Sequence, residues 1–172
     1  MKRKNIQNKR SGFTLIELLL YVVIAAMLLL SVSFFMQTLL EARVKNQTVS
    51  EVDQQGIQIA QLITQTIRNA VIINTPVAGA SATSLSVNTP TSGNNPTVFD
   101  LSGGVIRSTE GAGSPIPITN SRVIASSLSI TNLSRAGTPG TIRVLFTLTA
   151  TDGNGRAETQ FAKNFMFTAS LR

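Results

Sequence analysis

The stretch KRSGFTLIELLLYVVIAAMLLLSVSFFMQTLL, residues 9–40, decides how the rest of the chain is read. Its last 28 positions, Phe13–Leu40, carry a single charge, Glu17, and Leu18–Leu30 is an unbroken apolar run. About 20 consecutive apolar residues suffice for a helix to cross the hydrocarbon core of a bilayer. Upstream, residues 1–12 are polar, basic and free of acid. Basic residues ahead of a span predict an N-terminus held in the cytoplasm, a single pass through the inner membrane, and everything after residue 40 on the far side. An acid inside a span costs a few kcal/mol and calls for a named partner. The positive end of the helix dipole lowers that cost for Glu17.

Downstream, residues 41–75 predict a continuation of the same helix. From Glu41 to Ile73 there is no Pro and only one Gly, Gly56. Val49, Val52, Gly56, Ile59, Ile63, Ile67 and Ala70 recur at spacings of three and four, while Gln54, Gln55, Gln58, Gln61, Gln65 and Arg68 fill the other faces. That pattern is an amphipathic helix whose stripe packs on a domain. Pro76 excludes the α conformation from its predecessor, so the helix is expected to run from Phe13 to about Ile73, as a stalk. After residue 75 the composition changes. All six prolines and ten of the twelve glycines lie there, and Ser and Thr supply 27 of the last 97 residues, as strands joined by turns require. Strand-like runs are Thr83–Val87, Thr97–Leu101, Val105–Arg107, Arg122–Thr131, Thr141–Thr151 and Thr159–Leu171. Ile142, Val144, Phe146, Leu148 and Ala150 share one parity; so do Phe161, Phe165, Phe167, Ala169 and Leu171, with Lys163 as the exception. Asp152-Gly153-Asn154-Gly155 between them signals a hairpin. The fold class is therefore α+β: a long hydrophobic-then-amphipathic helix packed on an antiparallel sheet formed by residues 76–172. Residues 76–121 read as long loops with short strands, whose place in the sheet the sequence does not give.

Composition narrows the function. The chain has no Cys, His or Trp, which removes disulfides, thiolate or Ser-His-Asp catalysis, and Cys or imidazole metal sites. Of 15 Lys and Arg residues, five fall in the first ten positions, leaving ten against eight acids in the remainder. No basic patch for nucleic acid is visible there, and nucleic acid is not an expected partner. Asp152, Asn154 and Glu158 offer three oxygen ligands where calcium takes about six to eight, so a plain turn is the reading. No cofactor or metal is expected, and no enzymatic activity.

Lys9-Arg10-Ser11-Gly12-Phe13-Thr14-Leu15-Ile16-Glu17-Leu18-Leu19 resembles the class III signal of type IV prepilins and type II secretion pseudopilins. The resemblance implies that a prepilin peptidase recognises the leader through Lys9 and Arg10. It implies a cut between Gly12 and Phe13, and N-methylation of Phe13. Glycine before the cut leaves the backbone unshielded and able to enter a protease in extended form. The resemblance also gives Glu17 its partner, the Phe13 amine of a neighbouring subunit, during assembly of a pilus or pseudopilus. Many major pilins place Gly and Pro early in this helix. Phe13–Leu40 has neither, and the Ser/Thr-rich strands 126–131 and 141–149 look like minor subunits of the pseudopilin J or minor pilin W type. Implied partners are the peptidase, other pilin or pseudopilin subunits, an inner-membrane assembly platform, and membrane lipid before assembly. Two alternatives stay open: a membrane-tethered, unassembled β-rich binding module, and a competence or DNA-uptake pilin.

Overall fold

The computed structural model describes residues 12–151 and 160–172. Lys9 and Arg10 of the leader lie outside the described residues, as do the Asp152-Gly153-Asn154-Gly155 turn and Glu158. The chain forms two compact units, Met1–Ala42 and Arg43–Arg172. One helix, α1, covers Leu15–Asn69.

In the N-terminal unit the described part of α1 is built from Leu, Ile, Val and Ala, with no Gly or Pro to break it after Gly12. Ser33 and Thr38 fold their hydroxyls back onto the Leu29 and Phe35 carbonyls, each at 2.8 Å. Such back-bonding satisfies these two hydroxyls within the helix.

In the C-terminal unit, α1 buries Val52, Gly56, Ile59, Ile63 and Ile67, the expected stripe. The helix stops sooner than the sequence suggests. The Val71 N–H donates to the Asn88 carbonyl at 2.7 Å, and the Asn74 amide reaches Asn88 Oδ1 at 2.8 Å. Pairing with a strand thus takes residues 72–75 from the helix, four residues ahead of Pro76, and they become β1 (Ile72–Thr75).

Two antiparallel sheets stand where one was anticipated. The first runs in the order β1, β3 (Leu85–Asn88), β4 (Thr97–Ser102), β5 (Val105–Glu110), β6 (Ile116–Pro117). The second runs β2 (Ser81–Ala82), β7 (Val123–Asn132), β8 (Thr141–Ala150), β9 (Ala162–Ser170). The strand-like runs Thr83–Val87, Thr97–Leu101 and Val105–Arg107, left without a place by the sequence, are β3, β4 and β5 and form most of the first sheet. Gly103 and Gly104, both at positive φ, make the tight turn between β4 and β5. A Gly104 carbonyl that accepts from Ala125 N–H at 2.8 Å links this turn to β7.

Both sheets and the helix contribute to one core. Ile59, Ile63 and Ile67 are fully buried together with Leu85, Val87, Phe99 and Ile106 of the first sheet, and Ile130, Ile142, Val144, Phe146 and Leu148 of the second. The alternation of β8 follows its sequence parity, with Arg143 and Leu145 exposed between buried neighbours. Phe165 stacks on Phe146 at 5.2 Å between centroids, and Phe167 meets the same ring edge-on at 6.4 Å. Gly56 lets the helix come so close that a Cβ there would collide with the Phe165 ring. Lys163, the parity exception, pairs with Asp53 of the helix at 2.8 Å and lies 5.5 Å above the Phe165 ring. Arg107 and Asp100 form a two-bond pair across β4 and β5, and that hydrogen bond raises the Arg107 guanidinium above its ordinary pKa.

Ile59→Ala and Ile63→Ala should each destabilise the C-terminal unit by about 2–5 kcal/mol, measured by denaturant titration of the detergent-solubilised chain. Losses below about 0.5 kcal/mol for both would contradict the packing.

Candidate processing and assembly site

The functional candidates cluster where the apolar helix begins. Gly12, Phe13 and Thr14 are in irregular backbone, and the Thr14 carbonyl accepts the first helical hydrogen bond from Leu18 N–H at 3.2 Å. Helix α1 thus opens two residues later than Phe13. Gly12 sits in open space: a Cβ built there meets nothing within 4 Å. Its φ is not in the left-handed region either, so this fold has no local need for glycine at position 12.

Glu17 and Tyr21 stand four residues apart on one helix face, and the Phe13 ring, just ahead of the helix, packs on that face. The Phe13 and Tyr21 rings lie 5.8 Å apart at 54°. The Tyr21 hydroxyl donates to Glu17 Oε1 at 3.4 Å. Glu17 is in the first turn, where the free N–H groups of the helix concentrate positive dipole charge. The carboxylate therefore has one weak side-chain donor of its own and ample room for a second. Tyr21 is the residue that the sequence did not single out, though its i+4 relation to Glu17 was on view.

Beyond this point the helix surface is apolar and bare. An 18-residue window reaches a mean hydropathy of 2.7 with none of it buried, long and apolar enough to cross a membrane. Among the described residues, no group of three or more acidic side chains could hold a metal.

The prokaryotic N-terminal methylation motif matches residues 7–33, which covers the basic approach, Gly12, Phe13, Glu17 and most of the apolar run. The match supports a type IV prepilin-like protein. The motif implies processing by a prepilin peptidase and assembly with other pilins, and its family is structural rather than enzymatic. A transmembrane helix anchored in a membrane accords with both the motif and the bare apolar surface. No curated protein and no solved structure matches the chain.

The open space around Gly12 makes a substitution there a clean test of the processing that the motif implies. Gly12→Val should leave the fold and membrane insertion unchanged while unprocessed precursor accumulates, seen as a slower band in an immunoblot of membranes. A Gly12→Val chain that runs at the mature size would remove Gly12 from the cleavage site.

Proposed function

We propose that this chain is a minor pilin or pseudopilin, a non-enzymatic structural subunit of a type IV pilus or a type II secretion pseudopilus. The peptidase cuts between Gly12 and Phe13 after engaging Lys9 and Arg10, and Phe13 becomes the N-methylated first residue. Residues 13–40 then serve first as a membrane anchor, N-terminus cytoplasmic, and later as the assembly helix. The remainder forms a head on the far side of the membrane, carried on the filament surface at or near the tip.

The observation that carries this reading is the Phe13, Glu17, Tyr21 face. A carboxylate in an apolar helix is costly to leave alone. Cutting before Phe13 creates an amine just ahead of the helix, about 6 Å along the axis from Glu17 once the first turn extends to it at 1.5 Å per residue. A helix cannot fold that amine back onto its own Glu17 without unwinding its first turn. A neighbour displaced axially by the same distance brings its amine level with this Glu17. Each subunit then neutralises the next, and filament growth supplies the partner that the isolated helix lacks. Tyr21 orients the carboxylate and accounts for one of its lone pairs.

Glu17→Ala should therefore leave insertion and cleavage intact and cut incorporation into sheared filaments by tenfold or more. Glu17→Gln should fail in the same way, being similar in size but without charge. The cleaved and filament-associated fractions are scored in the same cells. Full cleavage with normal incorporation of both variants would sink the intersubunit pair and leave an anchored, unassembled module.

A further inference from the structure

Helix α1 runs beside β9 in the same direction within the C-terminal unit. Asp53 meets Lys163 at 2.8 Å, Gly56 faces the Phe165 ring, and Arg68 shares a groove with Arg172. Asp53, Ile57, Ala60, Thr64 and Arg68 recur every three or four residues, so they mark the helix flank on the β9 side. The groove holds about 540 Å³. Ile57 and Ala60 line one end, Arg68 and Arg172 the other, with Gln61 and Gln65 between them. No acid lines it, and among the described residues neither arginine has a carboxylate partner.

The strand beside this groove ends its sheet with an open edge. β9 runs nine residues in regular register with β8, without proline or a bulge to blunt it. The Leu171 N–H donates to Gly140 and the Ala150 N–H to Phe161, both at 2.8 Å, so the odd-numbered residues face β8. Ala162, Asn164, Met166, Thr168 and Ser170 therefore turn their N–H and C=O groups to the free edge. Phe165 and Phe167 stay half-buried, since a strand flanks them on one side only.

We propose that this edge and groove take an extended, acid-bearing segment of another protein as a fifth strand of the second sheet, antiparallel to β9. Its backbone would complete the free hydrogen bonds, and every second side chain would enter the groove. The side chains beside Phe165 and Ile57 should be apolar. The one beside Arg68 and Arg172 should be a carboxylate, which gains two guanidinium partners there where a cation is repelled. From Ile57 to Arg68 the helix rises about 16 Å, the length of about five extended residues. This chain supplies no such segment from its own β9 or leader: the inward positions of β9 carry Lys163 and no acid, and residues 1–12 are basic. The inference concerns the C-terminal unit alone and does not depend on the pilus reading.

The chain has no cysteine, so an introduced one reports without background. The probe is a peptide blocked at both ends, Asp-Thr-Val-Cys-Val-Thr-Thr. Its Cys would oppose Met166, its two Val residues Phe167 and Phe165, and its Asp would lie at the Arg68 end. Directly opposed residues in a hydrogen-bonded pair lie about 5.5 Å apart at Cα, within the range of about 4.4–6.8 Å that a disulfide spans. The detergent-solubilised full chain carrying Met166→Cys is equilibrated with the peptide in a thiol-exchange buffer, and the mixed disulfide is quantified by intact mass. Ser129→Cys, exposed on the same face but two strands inward, should form about tenfold less of it. A peptide with Lys in place of Asp should also give about tenfold less with Met166→Cys. Adding Arg68→Glu should reverse that preference, and adding Thr168→Pro should abolish the adduct, because an edge N–H is lost. Equal labelling at Met166 and Ser129, or no preference between the Asp and Lys peptides, would overturn the proposal. So would a disulfide dimer of the Met166→Cys chain formed in preference to the adduct, which would give the edge to a second copy.

Discussion

Twenty large apolar side chains between Phe13 and Leu40 are exposed, and none of the described residues covers them. Leaving such a surface in water is unfavourable by tens of kcal/mol, since each large apolar side chain is worth about 1.5–3 kcal/mol on burial. A soluble monomer does not carry a patch of that size. Lipid must cover it, or other helices of the same kind, and that constraint governs everything else about the N-terminal unit. It also explains why the one acid in the run, Glu17, matters: its carboxylate is tolerable at a helix N-terminus beside Tyr21 and becomes favourable beside a cation.

The same helix meets the opposite demand in the C-terminal unit, where its stripe is the part of the core that both sheets share. Glycine at position 56 permits the close approach over Phe165, and the Lys163–Asp53 pair fixes the helix at the end of β9. On the neighbouring face Glu51 accepts from Asn120 Nδ2 at 2.5 Å and meets Arg122 at 3.5 Å, while Gln55 accepts from the Asn120 N–H at 3.3 Å. The polar residues of α1 that border the stripe thus hold the segment leading into β7. A head tied to its helix in this way can be carried by the helix as a unit.

Much of this was legible in the sequence because the signals are periodic. The stripe of Val52, Ile59, Ile63 and Ile67 and the alternation of Ile142, Val144, Phe146 and Leu148 emerge as core, since a face that must be apolar leaves its period in the chain. Within residues 76–121 the runs that became β3, β4 and β5 were legible but their place in a separate sheet was not, and β2 and β6, of two residues each, have no period at all. The helix end at Asn69 was missed for another reason. Asn88, nearly twenty residues further on, competes for the Val71 N–H, and no local pattern announces it. Lys163 looked like a flaw in the alternation until Asp53, 110 residues away, was seen to receive it. At the candidate site, Gly12, Phe13 and Glu17 were singled out by their resemblance to a prepilin signal, and the methylation motif at residues 7–33 spans all three. Tyr21 was not, because an aromatic residue in an apolar run carries no mark of its hydroxyl's partner.

The central claim is that the apolar helix begins its working life at a new terminus. Intact-mass analysis of the membrane-extracted protein tests it most directly. The expected species is the 160-residue chain that remains when 12 residues leave the 172, heavier by one methyl group on Phe13. A single species that retains Met1–Gly12 in cells with an active prepilin peptidase would contradict the account.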